Sequence, residues 1–538
     1  MGIFGGKRYL GLRGQRLNLA IGIIAGIDFF LFGYDQGVMG GLLTLPSFVD
    51  TFPKIDTLAH PTDNTVSSIQ GITVASYNLG CFFGAIVTMF IGDILGRRKM
   101  ILVGSSIVII GAILQCSAFS LPHLIVGRII TGFGNGFNTS TVPTWASETS
   151  KAHKRGKMVM IEGAMITGGI CTSYWVDFAF SFLEPSAVAW RFPIAFQIVF
   201  ALPLLVLIMP LPESPRWLIL RGNEAEAISV ISALNDLPIE HKLVRAQTQE
   251  IHDSVAEADA TTWTDLVSMG PERNFHRVFL GYISQIFQQI GGCNLIIYYS
   301  ATIFQTYIGL DGQTSRLISA CTGIEYFLVS FIAVYTIEIF GRRTLMLVGS
   351  TGCACSMALL AGMIYMCQYG IGGSTPGWIA CAGLFLFNSF FAIGWLGMTW
   401  LYPAEIVPLR IRARANGLST SANWISNFLV VMITPVLFSG IGYKTYIIFA
   451  CINASIFPVV WFFYPETAYR SLEEIDEIFK KSNGWFDVVK VARDEPQRYG
   501  KHGELLDEEE KPASHYRETL FPDSNSDVAA NDHDKNDG

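Results

Sequence analysis

The sequence predicts an all-α membrane protein, with twelve spanning helices in two equivalent six-helix halves joined by a polar helical connection. Composition, the spacing of apolar runs and a set of duplicated motifs carry that prediction. The chain of 538 residues is 51% apolar and 13% aromatic but only 15% charged, whereas about a quarter of a soluble domain is charged. Most of the net charge of −7 lies at the end, where residues 481–538 hold 14 Asp+Glu against 8 Lys+Arg. The remainder is nearly neutral, so no basic field for a nucleic acid is expected. Nearly all of the ten cysteines fall inside apolar runs, which predicts neither a disulfide framework nor a metal site.

Runs of about 20 apolar residues suffice to cross a bilayer. In the first half they fall at 17–43, 66–91, 100–118, 124–146, 158–180 and 192–211. In the second they fall at 278–307, 315–337, 345–369, 378–407, 417–438 and 443–464. Lys and Arg cluster at Arg97-Arg98-Lys99, at 151–157, at Arg342-Arg343 and at 410–414, always after an even-numbered span. The positive-inside rule then puts both termini in the cytoplasm. The chain divides into a cytoplasmic start (1–16), a first half (17–211), a helical linker (212–276), a second half (277–464) and an acidic tail (465–538). The tail is expected to be largely disordered, because it has too little apolar content to fold alone.

The halves also share motifs. Asp93-Ile94-Leu95-Gly96-Arg97-Arg98 returns as Glu338-Ile339-Phe340-Gly341-Arg342-Arg343. Glu148 with Arg155-Gly156 returns as Glu405 with Arg412-Ala413, and Pro212-Glu213-Ser214 returns as Pro465-Glu466-Thr467. Three pairs in one order, each about 250 residues apart, imply an internal repeat, and repeated halves in a hydrophobic chain point to a secondary transporter.

Several further motifs accompany these: Phe32-Gly33-Tyr34-Asp35, Gly127-Arg128 and Pro143-Thr144-Trp145-Ala146-Ser147-Glu148. Pro212-Glu213-Ser214-Pro215-Arg216-Trp217, Gln288-Gln289-Ile290-Gly291-Gly292-Cys293-Asn294 and Tyr298-Tyr299 complete the set. Together they resemble the sugar porter branch of the major facilitator superfamily, and most closely fungal monosaccharide (hexose or pentose) transporters, over about 17–479. The resemblance implies the major facilitator fold and import of a monosaccharide by alternating access, as a sugar:proton symporter. It implies a multi-pass protein of the plasma membrane that works as a monomer in the bilayer, without enzyme activity, cofactor or nucleic acid. A passive facilitator, a polyol, quinate or disaccharide carrier, or a transporter-like sugar sensor are the alternatives.

The resemblance also assigns roles. Asp93, Arg97, Glu148, Arg155 and Glu213, mirrored by Glu338, Arg342, Glu405, Arg412 and Glu466, form a cytoplasmic latch between the halves, closed when the cavity faces outward. Tyr298 and Tyr299 gate the outer side. Charges inside spans are functional candidates, since a central carboxylate costs ~2.5–3.5 kcal/mol on insertion scales. Asp28, Asp35, Glu162, Asp177 and Glu325 qualify, with Arg128 as the clearest embedded cation. Counting from the outer ends of their spans, Asp35 and Arg128 both sit ~6–9 Å deep. They can therefore pair, and they are the expected proton-coupling site.

For the sugar, Gln288, Gln289 and Asn294 offer amides that donate and accept as hydroxyls do. Trp400, Asn423 and Trp424 occupy matching family positions, and Phe32 and Gln36 flank Asp35. Gly291-Gly292 predicts a bend in the seventh span. Three departures bear on specificity: Gly163, beside Glu162, stands where relatives usually have Gln, and Tyr326, beside Glu325, stands near a usual Asn. In the tenth span, Leu396-Gly397-Met398-Thr399-Trp400 lacks the usual Gly-Pro.

Overall fold

The computed structural model describes residues 9, 11–149, 155–259, 262–408, 410–470 and 472–496. No β-strand occurs among these residues. The first half runs Gly14–Leu42, Asn64–Leu95, Arg97–Cys116, Leu121–Thr149, Arg155–Phe180 and Val188–Leu207. The second runs Asn274–Ile290 with Cys293–Thr306, Gly312–Phe340, Arg342–Gln368, a tenth span from Thr375 to Ile406, Arg412–Ile441 and Lys444–Phe463. These are the twelve expected spans, most of them extended by up to four residues at one or both ends.

Nine helices among the described residues are long and apolar enough to cross a membrane by length and composition. The fourth, fifth and seventh spans fall outside that set. The seventh is cut in two by its glycines, and the fourth is diluted by Arg128, Asn135, Asn138 and four threonines before Trp145. Polarity here is on the inside of the bundle, since Arg128, Asn135 and Asn138 are all buried.

Glycine sets how closely the spans approach. A Cβ on Gly33 would lie 1.9 Å from the Ile166 carbonyl oxygen, and one on Gly169 would lie 2.0 Å from that of Phe30. The first and fifth spans therefore touch backbone to backbone. Across the halves, Gly71 of the second span meets Met432 of the eleventh, where a Cβ would stand 2.2 Å from the carbonyl oxygen.

The linker folds as Pro215–Leu220, Glu224–Asn235 and Lys242–Asp259, followed by a 3₁₀ turn at Trp263–Val267. Arg13 fastens the start of the first span to it through an ion pair with Asp236 at 3.0 Å and a hydrogen bond to the Leu237 carbonyl. Of the tail, residues 465–470 and 472–496 are described. Leu472–Lys481 and Val488–Asp494 are helical, because Ile475, Ile478, Phe479 and Val488 make an apolar face that is buried. Asp476 also pairs with the fully buried Arg277 of the seventh span. Residues 497–538, including the acidic run, lie outside the described residues.

Candidate functional site

Between the halves lies a cavity of about 380 Å³. Its inner wall includes Phe29, Thr141, Glu162, Gly163, Gln285, Thr399 and Trp400. Toward the mouth it is lined by Phe90, Asp93, Arg97, Trp263 and Arg414. The cavity thus opens at the end that carries the Gly-Arg-Arg turns and the linker. Trp263 of the linker reaches across that mouth, with its ring 6.2 Å from Phe90 and 5.4 Å from the Arg414 guanidinium carbon.

The opposite end is closed by contacts between the halves. Asn78 donates to Asn427 Oδ1 at 3.1 Å, and the Tyr298 hydroxyl donates to Asn78 Oδ1 at 3.4 Å. Arg316 donates to the Thr44 carbonyl and hydroxyl at 3.1 and 3.0 Å. Ser181 meets Gln313 at 3.0 Å, and Tyr174 donates to the Ile297 carbonyl. Tyr298 and Tyr299 are wholly buried here, and Tyr299 donates to the Val431 carbonyl at 3.0 Å.

Above the cavity the predicted amides meet in one network. Asn423 donates to Gln285 Oε1 at 2.7 Å and to Gln288 Oε1 at 2.8 Å. Gln289 donates to Asn423 Oδ1 at 2.9 Å, and Asn294 donates to Gln289 Oε1. The seventh span positions three of these, because 285, 288 and 289 lie on one helical face. Asn294 joins them across the break, where Gly292 takes φ +95° and a Cβ would stand 2.8 Å from the Phe449 ring. Trp424, buried with its indole N–H unpartnered, stands edge-on to Phe32 at 5.1 Å and near Tyr77 at 6.2 Å. Trp400 lines the cavity and faces Phe29 edge-on at 6.1 Å. Gln36 is buried one residue past Asp35.

Sequence reasoning missed Gln285, which lines the cavity and anchors the network by donating to the Thr399 carbonyl at 2.9 Å. Its spacing of three and four residues from Gln288 and Gln289 was the available signal. The tenth span keeps an irregular turn without a proline: Ala392–Leu396 is π-helical, ending four residues before Trp400. At Gly163 a Cβ would have only carbons and a backbone nitrogen at 3.7 Å or more, so the missing Gln leaves room in the cavity wall. Tyr326 is instead packed away, its ring 6.4 Å from Phe391.

Asp35 and Arg128 are near enough to interact electrostatically, yet they form no ion pair among the described residues. Arg128 is turned to the second span, donating to the Thr73 and Val74 carbonyls at 3.1 and 2.8 Å. Its guanidinium lies 5.6 Å from the Tyr77 ring, and Asp35 Oδ2 is buried without a partner.

At the open end the duplicated motifs fold twice into one arrangement. Arg97 bridges Asp93 at 2.7 Å and Glu148 at 3.1 Å; Arg342 bridges Glu338 at 3.3 Å and Glu405 at 2.9 Å. Glu213 accepts from the Arg97 and Arg98 backbone N–H groups at 3.2 and 3.1 Å. Glu466 accepts from those of Arg342 and Arg343 at 2.7 and 3.0 Å. Each acid thus caps the start of a span, where the helix dipole favours negative charge. Burial pushes both carboxyls up from the ordinary range, while the backbone donors and guanidiniums hold them down. None of these ion pairs crosses between the halves. Arg412 donates to the Val407 carbonyl within its own half, and the Arg155 side chain lies outside the described residues.

Comparison with known proteins agrees with this architecture. The family model for sugar (and other) transporters matches residues 21–479. The sugar transporter STL1 of Saccharomyces cerevisiae is 42% identical over 479 residues, 88% of this chain and 83% of its own. The MFS-type transporter oryC of Aspergillus oryzae is 40% identical over 501 residues, 92% of this chain and 91% of its own. Among solved structures, the major facilitator proton:xylose symporter XylE bound to 6-bromo-6-deoxy-D-glucose superimposes with a TM-score of 0.73. It is 25% identical and matches 87% of this chain and 100% of its own. Two six-helix halves around a polar cavity, with the duplicated motifs at one end, are those of a multi-pass membrane transporter, and the chain belongs to the sugar (and other) transporter family.

Proposed function

We propose that this chain carries a monosaccharide, a hexose or a pentose, across the plasma membrane together with a proton. The observation that carries the reading is the network of Gln285, Gln288, Gln289, Asn294 and Asn423 beside a cavity between the halves. Amides that donate and accept can exchange their mutual hydrogen bonds for those of a polyhydroxylated ligand. Trp400 and Phe29 add flat apolar surface for the carbon face of a ring.

Alternating access follows from the asymmetry of the two ends. The basic clusters mark the open end as cytoplasmic, so the conformation described here faces inward, with both termini on that side. Closing the cytoplasmic end would bring the paired Arg97 and Arg342 clusters toward one another and allow them to trade partners between the halves. In these clusters Arg97 and Arg342 are largely buried while Asp93 and Glu338 are exposed, and the pairs must exchange partners in every cycle.

Asp35 is the proton carrier in this scheme. A nearby guanidinium favours the carboxylate, and its withdrawal favours the acid. Arg128 held by the second span rather than by Asp35 is the arrangement expected once the proton is bound.

Uptake of labelled xylose and glucose in a cell lacking its own sugar carriers, with unlabelled polyols and disaccharides as competitors, tests the substrate class. Saturable monosaccharide uptake that monosaccharides displace best is expected. Surface-expressed protein that moves only polyols or disaccharides, or nothing, would contradict the reading.

A further inference from the structure

Of the buried carboxylates this scheme leaves unused, Asp177 lies against Gly41 toward the closed end, while Asp28 and Glu162 lie together. Asp28 on the first span is wholly buried beside Asn138 of the fourth, and among the described residues neither of its oxygens has a hydrogen bond of good geometry. Glu162 on the fifth span is 4% exposed and lies in the wall of the cavity. The backbone contacts at Gly33 and Gly169, with Gly26 against Met165, fix the register of these two spans. That register sets Asp28 and Glu162 at one level, within electrostatic reach of one another.

Among the described side chains no cation pairs with either of them; those of Arg155 and Lys157, earlier on the fifth span, lie outside the described residues. Asn138 of the fourth span is the polar neighbour of Asp28, and Asp28 is the charged neighbour of Glu162. Other charged groups on the packed elements stand elsewhere. Arg128, Arg191 and Arg316 of the fourth, sixth and eighth spans belong to the closed end, with Asp35 two turns up the first span. Glu148, Glu338 and Glu405 are committed to the ion pairs of the open end. Glu325 on the eighth span accepts from Ser389, and Asp93, Arg97 and Arg414 line only the mouth of the cavity. Beside Glu162, Thr141 is 5% exposed and its hydroxyl, in the cavity wall, has no partner. Glu162 thus stands between the cavity and the wholly buried Asp28.

Two isolated carboxylates in such a place cannot both stay ionised, because an unpaired buried charge takes up a proton rather than bear the desolvation. We propose that Asp28 and Glu162 form a second proton site, separate from Asp35, in which Asp28 holds one exchangeable proton and Glu162 is its port to the cavity. The proton arrives on water through the open end, passes to a Glu162 oxygen and then to an Asp28 oxygen. Only O–H bonds form and break, and the charge of the pair changes from two negative to one. The tenth span meets the fifth beside this pair, where a Cβ on Gly397 would lie 2.2 Å from Met160 Sδ. Movement of the second half against the first would therefore open or shut the port.

Infrared difference spectroscopy of the purified full-length protein, without ligand, tests this on transfer from water to heavy water. The parent and Asp35→Asn should both show a protonated-carboxyl C=O band that shifts on exchange. Added to Asp35→Asn, Asp28→Asn should remove one exchanging component of that band, and Asp28→Glu, which keeps the acid, should move it. In Glu162→Gln the band should remain but exchange roughly a hundredfold more slowly, the size of effect a positioned proton-transfer group gives. A band unchanged in both Asp28 variants, or exchange at the parent rate in Glu162→Gln, would overturn the proposal.

Discussion

Gly341 shows how one atom can decide a motif. It takes φ +81°, ψ 168°, and a Cβ there would lie 2.5 Å from Glu466 Oε2. Gly96 repeats this with φ +84° and a Cβ 2.9 Å from the Trp217 ring. Both turns admit only glycine, so that an acid can close over the next helix start. Gly341→Ala should therefore cost ~1–3 kcal/mol, the scale of a forbidden backbone region, and thermal unfolding of the detergent-solubilised protein should show it as a lower midpoint. An unchanged midpoint would mean that the turn relaxes freely. These roles were half legible in the sequence. The repeat of Gly-Arg-Arg and Pro-Glu-Ser/Thr was visible, but not that the glutamates cap the spans following the arginines, since the two segments lie more than a hundred residues apart. Similarly, the depth of Asp35 and Arg128 could be counted, whereas the turn of Arg128 toward Thr73 and Val74 depends on the second span.

Among the elements, the seventh span departs furthest from a simple helix. Its inner part ends at Ile290 and its outer part starts at Cys293. The outer part carries Tyr298 and Tyr299 into the closed end, while the inner part carries the amides. A bend at Gly292 thus joins the amide network to the closed end. Gly292→Ala places a methyl against Phe449 at a φ that only glycine takes readily, and it should stiffen or misplace the bend. Transport turnover should fall while the apparent affinity for sugar changes less, as uptake kinetics would reveal; an affinity loss at constant turnover would contradict the hinge role. The bend was readable from Gly291-Gly292. The irregular turn of the tenth span was not, because it arises without the proline that would have announced it. The helices at 472–494 escaped notice because the acidic composition around them hid a short apolar stripe that only the seventh and tenth spans make useful.

For the whole molecule, the decisive feature is that one end is sealed by contacts between the halves and the other is open. Twelve spans and their order were legible from the apolar runs together with the duplicated motifs, although three of the spans are too polar or too broken to stand out by length and composition. Which end would be closed was not, since under the proposed alternating access one sequence serves both states. Asn78 bridges Tyr298 and Asn427 at the sealed end, so Asn78→Ala removes about 1 kcal/mol of hydrogen bonding from the inward-facing state. That should shift the population toward the outward-facing state roughly fivefold. A cysteine in place of Met432, which packs on Gly71 in the seal, should then react about that much faster with an impermeant thiol reagent added outside. Reaction at the parent rate would show that these contacts do not hold the outer end shut.

Coupling between proton and sugar is tested most directly in proteoliposomes containing the full-length protein, with an inward proton gradient and labelled xylose or glucose outside. A positive charge moving inward gains ~2.3 kcal/mol per 100 mV, enough for more than tenfold accumulation. The wild-type protein should accumulate the sugar and lose it when a protonophore is added. Asp35→Asn should carry out counterflow of sugar against sugar but accumulate none. Undiminished accumulation by Asp35→Asn, or by the wild-type protein with the gradient collapsed, would contradict the account.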